Sequence, residues 1–161
     1  MDTIELVLWR GHDPTLPHTR KPGFDPLGGE GVRFAPGRWN PVIPDGRIVY
    51  ASEHPALVLC ELLAHDETLE RLVLLEFHLR APGLSRYTRE EVGEWLVRGD
   101  VEATQALGER WYRSGEAPVL AVPSALLPLS TNYLIRPDAP GVELKVLRIE
   151  EVRVDERLRC G

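Results

Sequence analysis

Cysteine is scarce in this chain, at two positions of 161, Cys60 and Cys160. That excludes a disulfide scaffold and points to a reducing, cytoplasmic setting. Long apolar runs are missing as well. None approaches the roughly 18–20 residues that cross a bilayer, so no membrane association is expected. The opening MDTIELVLWRGHD has an acid at position 2 and no cationic stretch, which argues against a secretory signal. Basic charge is not in excess. Nineteen Lys and Arg stand against 25 Asp and Glu, a net charge of −6, which argues against direct binding to nucleic acid or an anionic membrane. His12, His18, His54, His65 and His78 show no H-x-x-x-H spacing and no cysteine pairing, so no metal site is expected. No G-x-x-x-x-G-K-[ST] phosphate loop is present, and Ser124 sits in Val-Pro-Ser-Ala rather than in a G-x-S-x-G elbow.

What is present reads as one α+β domain spanning residues 1–161. The length is close to the ~150 residues that serve as a prior for one domain, and hydrophobic residues make up 43%, too many for disorder. No repeat, heptad pattern or linker divides the chain. Strands are expected at Ile4–Arg10, Arg47–Ser52, Leu72–Leu79 and Pro118–Val122, with Val142–Val154 either one long strand or two joined by a bend. A helix capped by Ser52 is expected to run to about His65. Thr88-Arg-Glu-Glu91 is a capping box for a second helix that Gly99 closes. Asp100 caps a third, which runs to about Arg113 and ends at Gly115. The order lacks a regular β-α-β alternation, which favours mixed sheets flanked by short helices over a doubly wound sheet.

Two regions carry the candidate chemistry. Residues 11–47 hold seven of the 14 glycines and seven of the 14 prolines. From Arg10 to Arg47, six basic residues against four acids make this segment +2 and leave −8 for the rest. Long loops of this kind are either functional or disordered. Arginines on a glycine-rich loop suit phosphate, because the guanidinium fork meets phosphate oxygens bidentately. Within it, Trp39 beside Arg38 either packs on a base or anchors the loop in the core. The second region is Ala56-Leu-Val-Leu-Cys-Glu-Leu-Leu-Ala64, where Glu61 stands alone among apolar residues. A helix apolar all round is buried, and a buried carboxylate needs a partner or a shifted pKa; otherwise the helix is partly exposed and Glu61 points to water. Cys60 in the same helix reads as packing, and Tyr50 as a half-buried sheet tyrosine.

The order of several short motifs resembles the RES domain, the toxin of bacterial RES–Xre toxin–antitoxin pairs. They are Leu8-Trp9-Arg10, Gly28-Gly-Glu-Gly31, Gly37-Arg-Trp-Asn40, Val49-Tyr50-Ala-Ser52, the helix with Glu61, Val122-Pro-Ser124 and Asn132-Tyr-Leu134. The likeness runs from about residue 8 to about residue 158. It implies an ADP-ribosyltransferase-like fold that binds NAD as substrate and cleaves its nicotinamide–ribose bond, depleting NAD or transferring ADP-ribose to a protein. It also implies an Xre-like helix-turn-helix antitoxin as partner in a hetero-oligomer. Carried over by residue, Arg10, Arg38, Tyr50 and Glu61 match catalytic positions. Arg33, Trp39, Ser124 and Asn132 join Arg10, Arg38 and Tyr50 as NAD-binding candidates, with Arg33 ranked behind the other two arginines. A ribonuclease toxin and a non-catalytic binding module are the competing classes.

Overall fold

A computed structural model describes residues 2–159, leaving Met1, Cys160 and Gly161, and with them the second cysteine, outside the described residues. Strands β1 (Ile4–His12), β2 (Val49–Ser52), β3 (Arg71–Ala81), β4 (Ser85–Arg86), β5 (Val119–Pro123), β6 (Thr131–Ile135) and β7 (Glu143–Arg153) form one mixed sheet. Its order is β4-β5-β6-β2-β1-β3-β7, and all pairs are antiparallel except β4–β5. Helices α1 (Pro55–His65), α2 (Arg89–Arg98) and α3 (Val101–Ser114) lie against it. The architecture is α+β. No described helix is long and apolar enough to cross a membrane.

The sheet has a weak seam. β1 and β3 pair along nine residues, whereas β1 and β2 share the single register pair Trp9↔Ser52. The seam divides the sheet into a β4-β5-β6-β2 half and a β1-β3-β7 half. Register places Leu8, Leu75, Phe77 and Leu79 on one face of the second half, and these side chains form one core with Val49, Val119, Ala121 and Ile135 of the first. No helix residue contributes to this core. A strand face buried without helical cover is covered by another part of the sheet, so the two halves close on each other as a sandwich does.

The helices cover the outer faces. Leu120, Val122 and Leu134 pack with Val92 and Leu96 of α2 and Trp111 of α3. Val58 of α1 packs with Leu72 of β3, together with Leu69 and Val154. Local sequence chemistry explains the helix ends. Thr88 and Glu91 complete a reciprocal capping box, Asp100 caps α3 through the Ala103 N–H at 3.0 Å, and Gly99 and Gly115 take left-handed conformations at the C-termini. The α1 cap is a correction. His54 holds the position, its Nδ1 accepting from the Leu57 N–H at 3.3 Å, because Ser52 remains in β2 and its hydroxyl faces β6. Arg47 and Ile48 precede β2 rather than belonging to it, and β6 is a strand that local sequence pattern had not signalled. Of the expected Val142–Val154, Glu143–Arg153 forms one strand with a bulge.

The Gly/Pro segment is folded rather than loose. Short 3-10 turns at Pro17–Arg20 and Glu30–Arg33 punctuate it. Its second half lies on α3, where a Cβ on Gly108 would sit 1.7 Å from the Trp39 carbonyl oxygen. Gly108→Ala should therefore lower stability by about 1–3 kcal/mol through overpacking, despite alanine's better helix propensity. Gly93→Ala in α2, where the new methyl meets only Arg89 Cγ at 3.8 Å, should instead raise stability by roughly 0.5–1 kcal/mol. Denaturant unfolding of the two variants should give midpoints displaced in opposite directions. Displacement in the same direction would contradict the contact.

Candidate functional site

A cleft of ≈ 690 Å³ opens where the seam, α1 and the Gly37–Trp39 segment meet. Its volume lies within the ~300–1,000 Å³ of small-molecule sites. Arg10, Arg38, Trp39, Tyr50, Glu61 and Asn132 all line it. Ser124 stands directly behind Glu61.

Glu61 projects from α1, and the helix is not buried all round: Leu57 and Val58 are buried while Cys60 is exposed. The expectation that Cys60 packs in the interior is thus corrected. Glu61 itself is half-buried and held. Its Oε1 accepts the Ser124 hydroxyl at 2.8 Å and the Asn132 Nδ2 at 2.7 Å. Both donors have defined orientations. The Asn132 Oδ1 accepts from the Ser52 hydroxyl at 2.7 Å, which sends its amide nitrogen toward the carboxylate. Ser124 is fully buried, and its Oγ accepts the N–H groups of Leu126 at 3.1 Å and Leu127 at 3.3 Å. With both lone pairs engaged, its proton has one destination, Glu61. Ser124 is therefore saturated by protein partners. Glu61 Oε2 has no hydrogen-bond partner among the described residues.

The Gly37–Asn40 segment is fixed from two sides. From α3, the Thr104 hydroxyl donates to the Arg38 carbonyl at 2.6 Å and Gln105 Nε2 donates to the Gly37 carbonyl at 2.8 Å. From β2, the Tyr50 hydroxyl donates to Asn40 Oδ1 and accepts the Trp39 N–H at 3.3 Å. A Cβ at Gly37 would lie 2.6 Å from that Asn40 oxygen and 2.8 Å from the Tyr50 hydroxyl, so glycine is required there. Burial pushes the Tyr50 phenol well above its usual pKa, against the opposing pull of the Trp39 N–H and of Arg10. The phenol keeps its proton and acts as a donor. Trp39 is 3% exposed and lies parallel to Tyr87 at 6.3 Å, so it anchors the loop in the core while its edge meets the cleft.

The three arginines separate by what they touch. Arg10 Nε donates to the Pro26 carbonyl and its Nη1 to the Tyr50 carbonyl, both at 2.7 Å. One side of its fork is thus a staple between β1, β2 and the Gly/Pro segment. Burial lowers its pKa. Arg38 Nη1 is buried with no partner among the described residues. Arg33 does not reach the cleft; its Nε donates to the Gly46 carbonyl at 2.9 Å. Sequence reading had not singled out Ser52, Thr104, Gln105 or Asn40 as supports. Asn40 and Ser52 stood inside the quoted Gly37-Arg-Trp-Asn40 and Val49-Tyr50-Ala-Ser52 motifs, Ser52 being read as a helix cap, but nothing local marked Thr104 or Gln105.

A model of the RES domain matches residues 7–155. The chain belongs to the RES domain family. Among similar proteins, "Toxin Res" of Pseudomonas putida is 30% identical over 95% of this chain and 99% of its own length. The "Prs ADP-ribosylating toxin" of a Sphingobium species is 32% identical over 77% of this chain and 82% of its own. A further "Toxin Res", from Photorhabdus laumondii, is 27% identical over 81% of this chain. The observed α+β fold is the one expected for a RES domain.

In this RES domain, Tyr50→Phe should remove the donor to the fully buried Asn40 and the acceptor of the Trp39 N–H. The expected cost is about 1–3 kcal/mol in unfolding free energy, measured by denaturant titration. An unchanged midpoint would show that the phenol does not hold the loop.

Proposed function

We propose that this RES domain is a toxin that binds NAD in the cleft and breaks the bond between nicotinamide and the ribose C1′. The observation that carries this reading is the Glu61 carboxylate, held through Oε1 by Ser124 and Asn132, in the same cleft as the unpartnered Arg38 guanidinium. As the C–N bond breaks, its electron pair leaves with nicotinamide and positive charge develops on the ribose. A carboxylate already oriented by fixed donors stabilises that charge without reorganising. The free Arg38 nitrogen suits an oxygen of the pyrophosphate, and the remaining edge of Arg10 a second one. The half-buried Tyr50 ring supplies a flat wall for nicotinamide. Water or phosphate then adds at C1′, a water losing one proton, and ADP-ribose or its phosphate ester is released.

The second reading is transfer of ADP-ribose to a protein. The name of the Sphingobium relative favours it. So does the turn after β5, where Leu126, which lines the cleft, and the neighbouring Leu127 and Leu129 are 46%, 49% and 80% exposed and offer an apolar surface to an incoming protein. For either reaction, an Xre-like helix-turn-helix antitoxin in the cytoplasm is the proposed restraint. A carboxylate from that partner, paired with Arg38, would compete with NAD for the same nitrogen.

Incubating the purified protein with NAD, with and without phosphate and candidate acceptor proteins, should release free nicotinamide. Glu61→Gln should lower that release ~10²–10³-fold, the scale of losing one preorganised electrostatic group, while the melting temperature stays near wild type. Arg38→Lys keeps the charge but loses the bidentate fork, so calorimetry with a non-hydrolysable NAD analogue should show weaker binding. Absence of nicotinamide under every acceptor condition would overturn the enzymatic reading in favour of a binding module. Full turnover by Glu61→Gln would remove that residue from the mechanism.

A further inference from the structure

Attack of water on the ribose C1′ leaves one proton to be placed, and few groups in the cleft can take it. The titratable side chains that line it are Arg10, Arg38, Tyr50, Glu61 and His65. Arginines do not give up their protons in proteins and cannot act as bases. Tyr50 also keeps its own, because its hydroxyl donates to Asn40 and burial opposes its ionisation. That leaves Glu61 and His65. The geometry points to His65 as the base that takes the proton from the incoming acceptor. This role rests on the NAD-cleaving reading above and extends it by dividing the acceptors into two classes.

Both residues belong to α1. His65 is the last residue of the helix and follows Glu61 by four positions, so the two share one helix face with Cβ atoms about 5–6 Å apart. Val58 and Leu62 of the same helix also line the cleft. The two ionisable residues differ in setting. Glu61 is half-buried and its Oε1 is held by Ser124 and Asn132, whereas His65 is exposed on the cleft wall. Exposure gives a base its exit, since a proton taken by the imidazole passes on to bulk water. The adjacent Asp66 does not compete for this role. It does not line the cleft, and its Oδ1 accepts the Thr68 N–H at 2.9 Å and the Thr68 hydroxyl at 2.6 Å.

The order of events calls for two groups rather than one. Nicotinamide leaves with the electron pair of the C–N bond, and Glu61 is needed as an anion while the ribose carries positive charge. A water then bonds to C1′ through an oxygen lone pair. As that bond forms, one O–H bond breaks. Its electron pair stays on oxygen, and its proton passes to the unprotonated nitrogen of a neutral imidazole, the commonest side chain in such transfers. Glu61 keeps its charge throughout. Inverting glycosidases divide the labour in the same way, with a base set apart from the other carboxyl group by room for one water. His65 therefore serves acceptors that must lose a proton, which are water and the hydroxyl or amine of a protein. An anion such as phosphate or azide attacks through an atom that already carries charge, and needs no base.

The test compares the wild type with His65→Gln in nicotinamide release from NAD, in phosphate-free buffer and then with added azide. In water alone the variant should be about 10²-fold slower, the lower end of what a general base supplies. Azide should bring the variant back close to the wild-type rate and give ADP-ribosyl azide as product, while the wild type gains little. Position 65 is an exposed helix end, and circular dichroism should confirm native folding. No nicotinamide from the wild type with water, phosphate or azide would overturn the NAD reading and this assignment with it. Wild-type release that His65→Gln leaves unchanged, or that it loses beyond rescue by azide, would overturn the assignment alone.

Discussion

The seam between β1 and β2 is the constraint on which the rest of the molecule depends. A fully paired seven-stranded sheet would twist continuously and, being almost wholly antiparallel, could leave one face to water. Here one register pair, Trp9↔Ser52, lets the two halves bend toward each other until Phe77 and Leu79 meet the inner face of β2, β5 and β6. The bend also opens a gap where strand hydrogen bonds would otherwise run. Arg10 fills part of it, bonding the Tyr50 carbonyl across the seam and the Pro26 carbonyl beyond. The cleft is the remainder of that gap. Core formation and site formation are thus the same event, and a guanidinium stands where a ladder bond is missing.

Around that gap, polarity is arranged with little redundancy. Ser52, Asn132, Glu61 and Ser124 form a chain of hydrogen bonds in which the direction of each is forced by its neighbour. The chain starts at the seam itself, because Ser52 is the β2 residue paired to Trp9. It ends on the backbone of Leu126 and Leu127. Position of the carboxylate is therefore coupled to the geometry of β2, β5 and β6 together, and not to α1 alone. Such a network holds Oε1 in place and leaves Oε2 as the open end of the carboxylate.

The sequence exposed some of this and hid the rest for physical reasons. Helix ends were readable because their determinants are local: Thr88 with Glu91, Asp100 and Gly115 act within a few residues. The isolation of Glu61 among apolar neighbours was readable too, and its need for partners was met. Which partners could not be read, since Ser124 and Asn132 lie 63 and 71 positions away. Thr104 and Gln105 escaped notice for the same reason, bonding loop carbonyls 66 and 68 positions distant. Arg33 and Arg38 look equivalent on a basic glycine loop; only the fold turns one toward the Gly46 carbonyl and leaves the other free. Strand β6 was obscured because a five-residue strand beside a proline-containing turn carries almost no periodic signal.

The backbone from Gly37 to Trp39 illustrates what such support means for recognition. Two of its carbonyls are bonded by α3, and the third abuts Gly108. Its main chain has no freedom left to surrender when a ligand arrives. Flexible phosphate loops close around their ligands and lose backbone entropy in doing so, at about 1–2 kcal/mol per residue ordered. Here that loss is taken during folding, and only the Arg38 side chain remains to be ordered. Association at this loop should accordingly resemble the docking of two rigid bodies, fast and with little dependence on loop closure.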